Sequence, residues 1–256
     1  MKNYLLLMFI LLPGLLSCDG MTTGGGSNLR PTVTTNDAVM ANINLGVEYL
    51  RQGNYEQALE RLERAQRMDP SYPNTYNMLG MLYQQMGQKD AAERNFKKAL
   101  NLSGNDPYTL NNYGQFLCSI NQRRQAEELF LRAAGNPLYN TPEIAYYNAG
   151  GCAFNGGNKT DAEGYFRRAL DRNPQMPEAL LRMSELSLDN KNFLSARGYL
   201  QRYMSVAKHT AKSLWLGIQI ERELGDANKV SSYAILLRNT FPDSQEASLL
   251  EQSGVR

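Results

Sequence analysis

The chain has 256 residues, of which 42% are hydrophobic, 20% charged and 9% aromatic, the proportions of a folded chain of one or two domains. Its 27 Lys+Arg against 25 Asp+Glu give a formal charge of +2, too small to supply the phosphate attraction on which nucleic-acid binding rests. One histidine (His209) and three cysteines (Cys18, Cys118, Cys152) leave too few soft ligands for a zinc site, and His209 stands in a Lys-His-Thr context without a hydrolase motif. The sequence offers no catalytic residue, no metal site and no cofactor motif.

Residues 1–17, MKNYLLLMFILLPGLLS, place one positive residue (Lys2) before an apolar run from Leu5 to Leu16 and end on the small residue Ser17, the layout of an export signal. That run is shorter than the ~20 residues a membrane-crossing helix needs, so it is expected to be removed. Its last residues, Leu15-Leu16-Ser17-Cys18, resemble the bacterial lipoprotein signal, in which the cysteine is acylated and becomes the mature N-terminus. The resemblance implies attachment to a membrane by several acyl chains on Cys18, without a span. The alternative is a chance cysteine behind an ordinary cleavage site. Asp19 is similar to an inner-membrane retention signal of some lipoproteins, so the inner membrane stays open beside the outer one. Residues 18–38, rich in Gly, Thr and Ser, read as a lipidated N-terminus and flexible linker.

From there the sequence repeats itself. Gly46, Gly80 and Gly114 lie 34 residues apart, and each is followed at fixed offsets by Ala58, Ala92 and Ala126, then Leu62, Phe96 and Phe130, then Ala65, Ala99 and Ala133. After a two-residue insertion near 139–142 the pattern resumes at Gly150, Ala162, Phe166 and Ala169. Prolines at 73, 107, 142 and 177 suit first turns of helices, where a missing N–H has no intrahelical partner. Each unit reads as helix, short turn, helix, with the small residues letting the two helices approach and the Phe filling the seam. Residues 177–210 keep Leu180, Ala196 and Leu200 but have Ser184 in the glycine's place, and 211–244 keep Gly225 and Pro242. Atypical terminal units are expected of a stacked array.

Tyr76-x-x-Leu79-Gly80-x-x-Tyr83 with Ala92, Phe96 and Ala99 resembles the tetratricopeptide repeat. The resemblance implies an all-α, right-handed superhelical solenoid of about six repeats, at 39–72, 73–106, 107–142, 143–176, 177–210 and 211–244, with a tail at 245–256. In that family the first helices line a concave face, through positions 2, 5, 9 and 12 of each unit. Carried onto this chain, those positions give Met40, Ile43, Val47 and Leu50, then Asn77, Met81 and Gln84 with Asn74, then Tyr108, Asn111 and Gln115, then Ile144, Tyr147 and Phe154. Such a groove is apolar and amide-rich with almost no charge, suited to a protein partner whose backbone the amides meet. The competing reading is that Met40–Leu50 is covered by the linker or by repeat packing. Trp215 reads as a packing residue of the last repeat.

Cys118 and Cys152 occupy positions 12 and 10 of consecutive first helices. They are expected either to form a disulfide between the third and fourth repeats or to remain two small buried thiols. The lipoprotein cysteine, the spacer and the repeats together resemble the type IV pilus biogenesis and stability lipoproteins of the PilF/PilW type. Segments such as Asn111-Asn-Tyr-Gly-Gln-Phe-Leu-Cys118 and Phe193-Leu-Ser-Ala-Arg197 carry the likeness. That family implies an outer-membrane pilotin, lipid-anchored on the periplasmic side, whose partners are the pilus secretin and other pilus proteins. The repeats alone support a lipid-tethered, non-catalytic scaffold, an architecture that also serves other cell-envelope assemblies.

Overall fold

Every unit folds for the same local reason: a proline or polar residue opens a helix, an apolar stripe at helical spacing runs along it, and a residue in the left-handed region ends it. A computed structural model describes residues 35–254; the signal segment 1–17, Cys18 and the linker up to residue 34 lie outside the described residues. Thirteen helices and no strand are found among the described residues. The first hairpin is α1 (Thr35–Arg51) with α2 (Tyr55–Met68), the second α3 (Pro73–Gln85) with α4 (Lys89–Ser103), and the third α5 (Pro107–Ser119) with α6 (Arg123–Ala134). Next come α7 (Pro142–Asn155) with α8 (Lys159–Arg172), α9 (Pro177–Asp189) with α10 (Phe193–Val206), and α11 (Ala211–Glu223) with α12 (Ala227–Thr240). A short α13 (Gln245–Gln252) follows.

A glycine on the first helix faces a large side chain on the second. A Cβ added at Gly80 would lie 2.8 Å from the Phe96 ring, at Gly114 2.7 Å from Phe130, at Gly150 2.7 Å from Phe166 and at Gly46 2.8 Å from Leu62. Glycine is therefore a packing requirement at these four positions. In the fifth hairpin Ser184 stands in that place and its hydroxyl, fully buried, donates to the Ala196 carbonyl at 2.8 Å. The sixth keeps the pairing one residue earlier: a Cβ added at Gly217 on α11 would lie 2.9 Å from the Tyr233 ring on α12, while Ile218 and Ala234 are buried in the apolar cluster of this hairpin.

The turns repeat as faithfully as the seams. Each first helix ends with two carbonyls capped from beyond its end, as in Gly87 N–H to Gln84 O (3.0 Å) and Gln88 N–H to Tyr83 O (2.8 Å). The geometry needs a positive φ, supplied by Gly53, Gly87, Gly157 and Gly225, by Asn121, and at one turn by Lys191, with φ +60°. A lysine there bears a cost of roughly 1–2 kcal/mol for its Cβ. Against the roughly 0.5–1 kcal/mol by which glycine loosens the unfolded chain, Lys191→Gly is expected to stabilise by about 0.5–1 kcal/mol, read as a higher midpoint in urea.

Successive hairpins stack through their first helices: α1 packs on α3, α3 on α5, α5 on α7 and α9 on α11. The second helices contact the following first helix but fan away from one another, so the first-helix side is the concave one. Phe96 ties repeats together as well as closing its own hairpin, its ring lying 5.4 Å from Tyr113 and 5.6 Å from Phe116 of the next unit. At the end of the stack the tail is helical: Ser244 caps α13, and Ala247 and Leu250 cover the cluster around Leu214 and Ile218. A last repeat with nothing beyond it would leave that surface in water, and α13 closes it.

Burial raises the phenol pKa of Tyr113, Tyr139, Tyr165 and Tyr233. Desolvation and the neighbouring Glu93 carboxylate push the Tyr113 hydroxyl up to about 12. A folded-state value above the unfolded one means stability that is whole below pH 10 and lost as pH rises towards 12. Stability measured across that window should fall less steeply in Tyr113→Phe than in the parent chain.

Candidate functional site on the concave face

In the first three repeats the concave positions are less open than their spacing suggests. Ile43 is 1% exposed and belongs to the apolar core with Val39 and Leu62, while Met40, Val47 and Leu50 are half-buried against the same cluster. The Tyr72 hydroxyl donates to the Met40 sulfur at 2.9 Å. This corrects the expectation of an open apolar groove at Ile43: position 5 of one first helix is roofed by the first helix of the next repeat.

The same roofing takes up the amides. Asn77 and Asn111 are buried. Asn112 donates to the Asn77 side-chain oxygen at 3.2 Å, and Asn148 to that of Asn111 at 2.9 Å. These bonds run from position 6 of one repeat to position 5 of the repeat before, so they hold adjacent first helices in register. The two oxygens are engaged within the fold, which corrects their assignment as groove groups for a partner's backbone. Met81, Gln84 and Tyr147 are half-buried, and Gln115 and Tyr108 are exposed; the accessible inner surface of this half runs through them.

Extending the same positions into repeats four to six reaches a hollow on the inner face. Phe154, Leu188, Trp215 and Leu216 give it an apolar wall, and Glu185, Lys212 and Gln219 its polar groups, around a volume of about 260 Å³. A second hollow of about 430 Å³ adjoins it, sharing Leu188, Asp189 and Gln219 and reaching Lys191 and Arg222. Trp215 is thus half-buried: one part packs on the last-repeat cluster and another lines the hollow. Spacing alone could have found this half, since Glu185, Leu188, Lys212, Trp215 and Gln219 all fall on positions 2, 5, 9 or 12 of their units.

Its charges are held in place across repeats. Arg182 bonds Glu185 at 2.9 Å and lies 5.5 Å from the Phe154 ring centre; Lys212 is 2.7 Å from the other Glu185 oxygen, a charge contact without hydrogen-bond alignment. Burial works against the Arg182 charge, yet Glu185 and the Tyr147 hydroxyl hold its pKa above the ordinary guanidinium value. Asp189 meets Lys159 at 2.7 Å. Deeper in the stack, Arg197 on α10 pairs with Glu221 on α11, a carboxylate only 2% exposed.

Cys118 and Cys152 join α5 to α7, their sulfurs 2.12 Å apart and their Cα atoms 5.9 Å apart. The crosslink closes a 34-residue loop over the α6–α7 connection, where the repeat period is interrupted. Among the described residues no three His, Cys, Asp or Glu side chains are grouped as a metal site would need, and no helix is long and apolar enough to cross a membrane.

Six stacked hairpins with small-against-large seams and a first-helix concave face define a tetratricopeptide-repeat protein, and tetratricopeptide-repeat families match residues 37–105, 119–177 and 157–205. The type IV pilus assembly protein PilF of Pseudomonas aeruginosa is 30% identical over 240 residues, 94% of each chain. The solved structure of P. aeruginosa PilF superposes with a TM-score of 0.75 at 28% identity, over 86% of this chain and 99% of that one. PilW, described as a widely conserved type IV pilus biogenesis factor, superposes with a TM-score of 0.73 at 30% identity, over 83% of this chain and 97% of the other. The chain belongs to the PilF/PilW family of tetratricopeptide-repeat proteins.

Proposed function

We propose that this chain is a non-catalytic protein-binding scaffold of type IV pilus biogenesis, which assists the pilus secretin in reaching or multimerising in the outer membrane and so supports the pilus. The observation that carries the reading is the 30% identity to a pilus assembly protein over 94% of both chains. The concave face supports it: alternating apolar and charge-paired surface on a rigid array is built to hold a protein segment. Lipid on Cys18 would tether the array at the periplasmic side of the outer membrane, and a linker ending where α1 begins at Thr35, short of the residue 38 expected from the sequence, would let it search nearby.

Deleting the gene in a piliated host tests this. Surface pili and heat-resistant secretin multimers should both fall, and both should return with the wild-type copy. A Cys18→Ala copy should leave the protein in the soluble periplasmic fraction with poor restoration. Unchanged pili and multimers in the deletion strain would contradict the assignment.

A further inference from the structure

We infer that the hollow between repeats four and six is a docking site for an extended segment of a partner protein that carries a large apolar or aromatic side chain beside acidic residues. The inference rests on the chain being a protein-binding scaffold, but not on which machine it serves.

Two independent features specify that ligand. The first is charge. On the floor, Glu185 is already shared by Arg182 and Lys212, and Asp189 is neutralised by Lys159. At the rim, Lys191 and Arg222 stand near Glu223, near Asp189, which Lys159 holds, and, for Arg222, near Glu221, which Arg197 holds; among the described residues neither cation lies within ion-pair distance of a carboxylate. The two linings carry three cations and three carboxylates, but Glu185 and Asp189 are also paired from outside the linings by Arg182 and Lys159, so the cations Lys191, Arg222 and Lys212 are left in excess over the remaining carboxylate, Glu223. The apolar wall of Phe154, Leu188 and Trp215 supplies the complementary anchor for a side chain. An acidic segment gains from this field and a basic one is repelled.

The second feature is backbone strain at the rim. Of the six turns that close first helices, four use glycine and one asparagine, and the one that lines the hollow holds Lys191 in the left-handed region. A strained non-glycine residue at the edge of a site points to a side chain the site uses. Glycine there would relax the turn and remove the cation together, which separates binding from folding.

Selection from a randomised hexapeptide display library on the purified chain tests the inference. The selected peptides should be enriched in Asp and Glu next to Phe, Tyr or Leu. The best of them, synthesised and titrated, should change the fluorescence of Trp215, the only tryptophan in the chain. Arg222→Glu should weaken that peptide at least tenfold, Lys191→Gly several-fold with a thermal midpoint no lower than the parent's, and binding should fall as salt is raised. Enrichment of basic or uncharged peptides, no response of Trp215, or affinity indifferent to Arg222→Glu would overturn it. So would self-association abolished by Arg222→Glu, which would make the occupant a second copy. None of these failures bears on pilus loss in the deletion strain.

Discussion

Phe96→Ala is expected to lower the unfolding free energy by about 3–5 kcal/mol, the cost of deleting a ring with no exposed surface. The ring fills the space left by Gly80 within its hairpin and stacks on Tyr113 and Phe116 of the next, so its loss opens one seam and loosens a second. Urea unfolding followed by far-ultraviolet circular dichroism measures the change; a loss below about 1 kcal/mol would mean that the site collapses freely. The opposite fault has the same origin. Gly80→Ala sets a Cβ 2.8 Å from the same ring, for about 1–3 kcal/mol of overpacking. Combined with Phe96→Leu, Gly80→Ser reproduces the Ser184 and Leu200 arrangement of the fifth hairpin. The pair should cost less than the two single changes together, because the residues share one gap.

Replacing both Cys118 and Cys152 with serine should cost about 3–4 kcal/mol, the loop-closure entropy of a 34-residue ring in the unfolded chain. The effect should be local as well as global. The crosslink spans the one place where the period is broken, between Gly135 and Thr141, and it joins the first helices on either side of that insertion. Backbone amides of α5 to α7 should therefore exchange faster in the double variant than those of α9 to α12. Reductant should reproduce the loss in the parent chain and do nothing to the variant. Equal midpoints with and without reductant would show that the cysteines do not constrain the chain.

The architecture was legible because the seams are intra-hairpin: Gly80 and Phe96 stand sixteen residues apart, so one spacing states both the small and the large partner. What lay beyond sequence reading depends on the neighbouring repeat. Ile43, Asn77 and Asn111 sit on the inner face by spacing, yet each is covered by the next first helix, and the Asn77–Asn112 and Asn111–Asn148 bonds span 35 and 37 residues with no motif to mark them. The last hairpin was obscured because its glycine and large partner, Gly217 and Tyr233, stand one residue ahead of the positions the 34-residue period assigns, which Ile218 and Ala234 occupy. Residues 245–252 carry no repeat signature and fold as α13 because the stack must end on something. The hollow at Trp215 needed only the same position rule continued past Phe154.

On the function proposed above, the inner face of the stacked first helices would hold the pilus secretin in the cell. Photocrosslinking from single sites in living, piliated cells tests it most directly, with a photoreactive residue at Gln115 or Gln219 on the inner face, or at Lys98 on a second helix. Secretin adducts are expected from Gln115 or Gln219 and none from Lys98. Secretin captured from Lys98 alone, or from no position while pili are made normally, would contradict it.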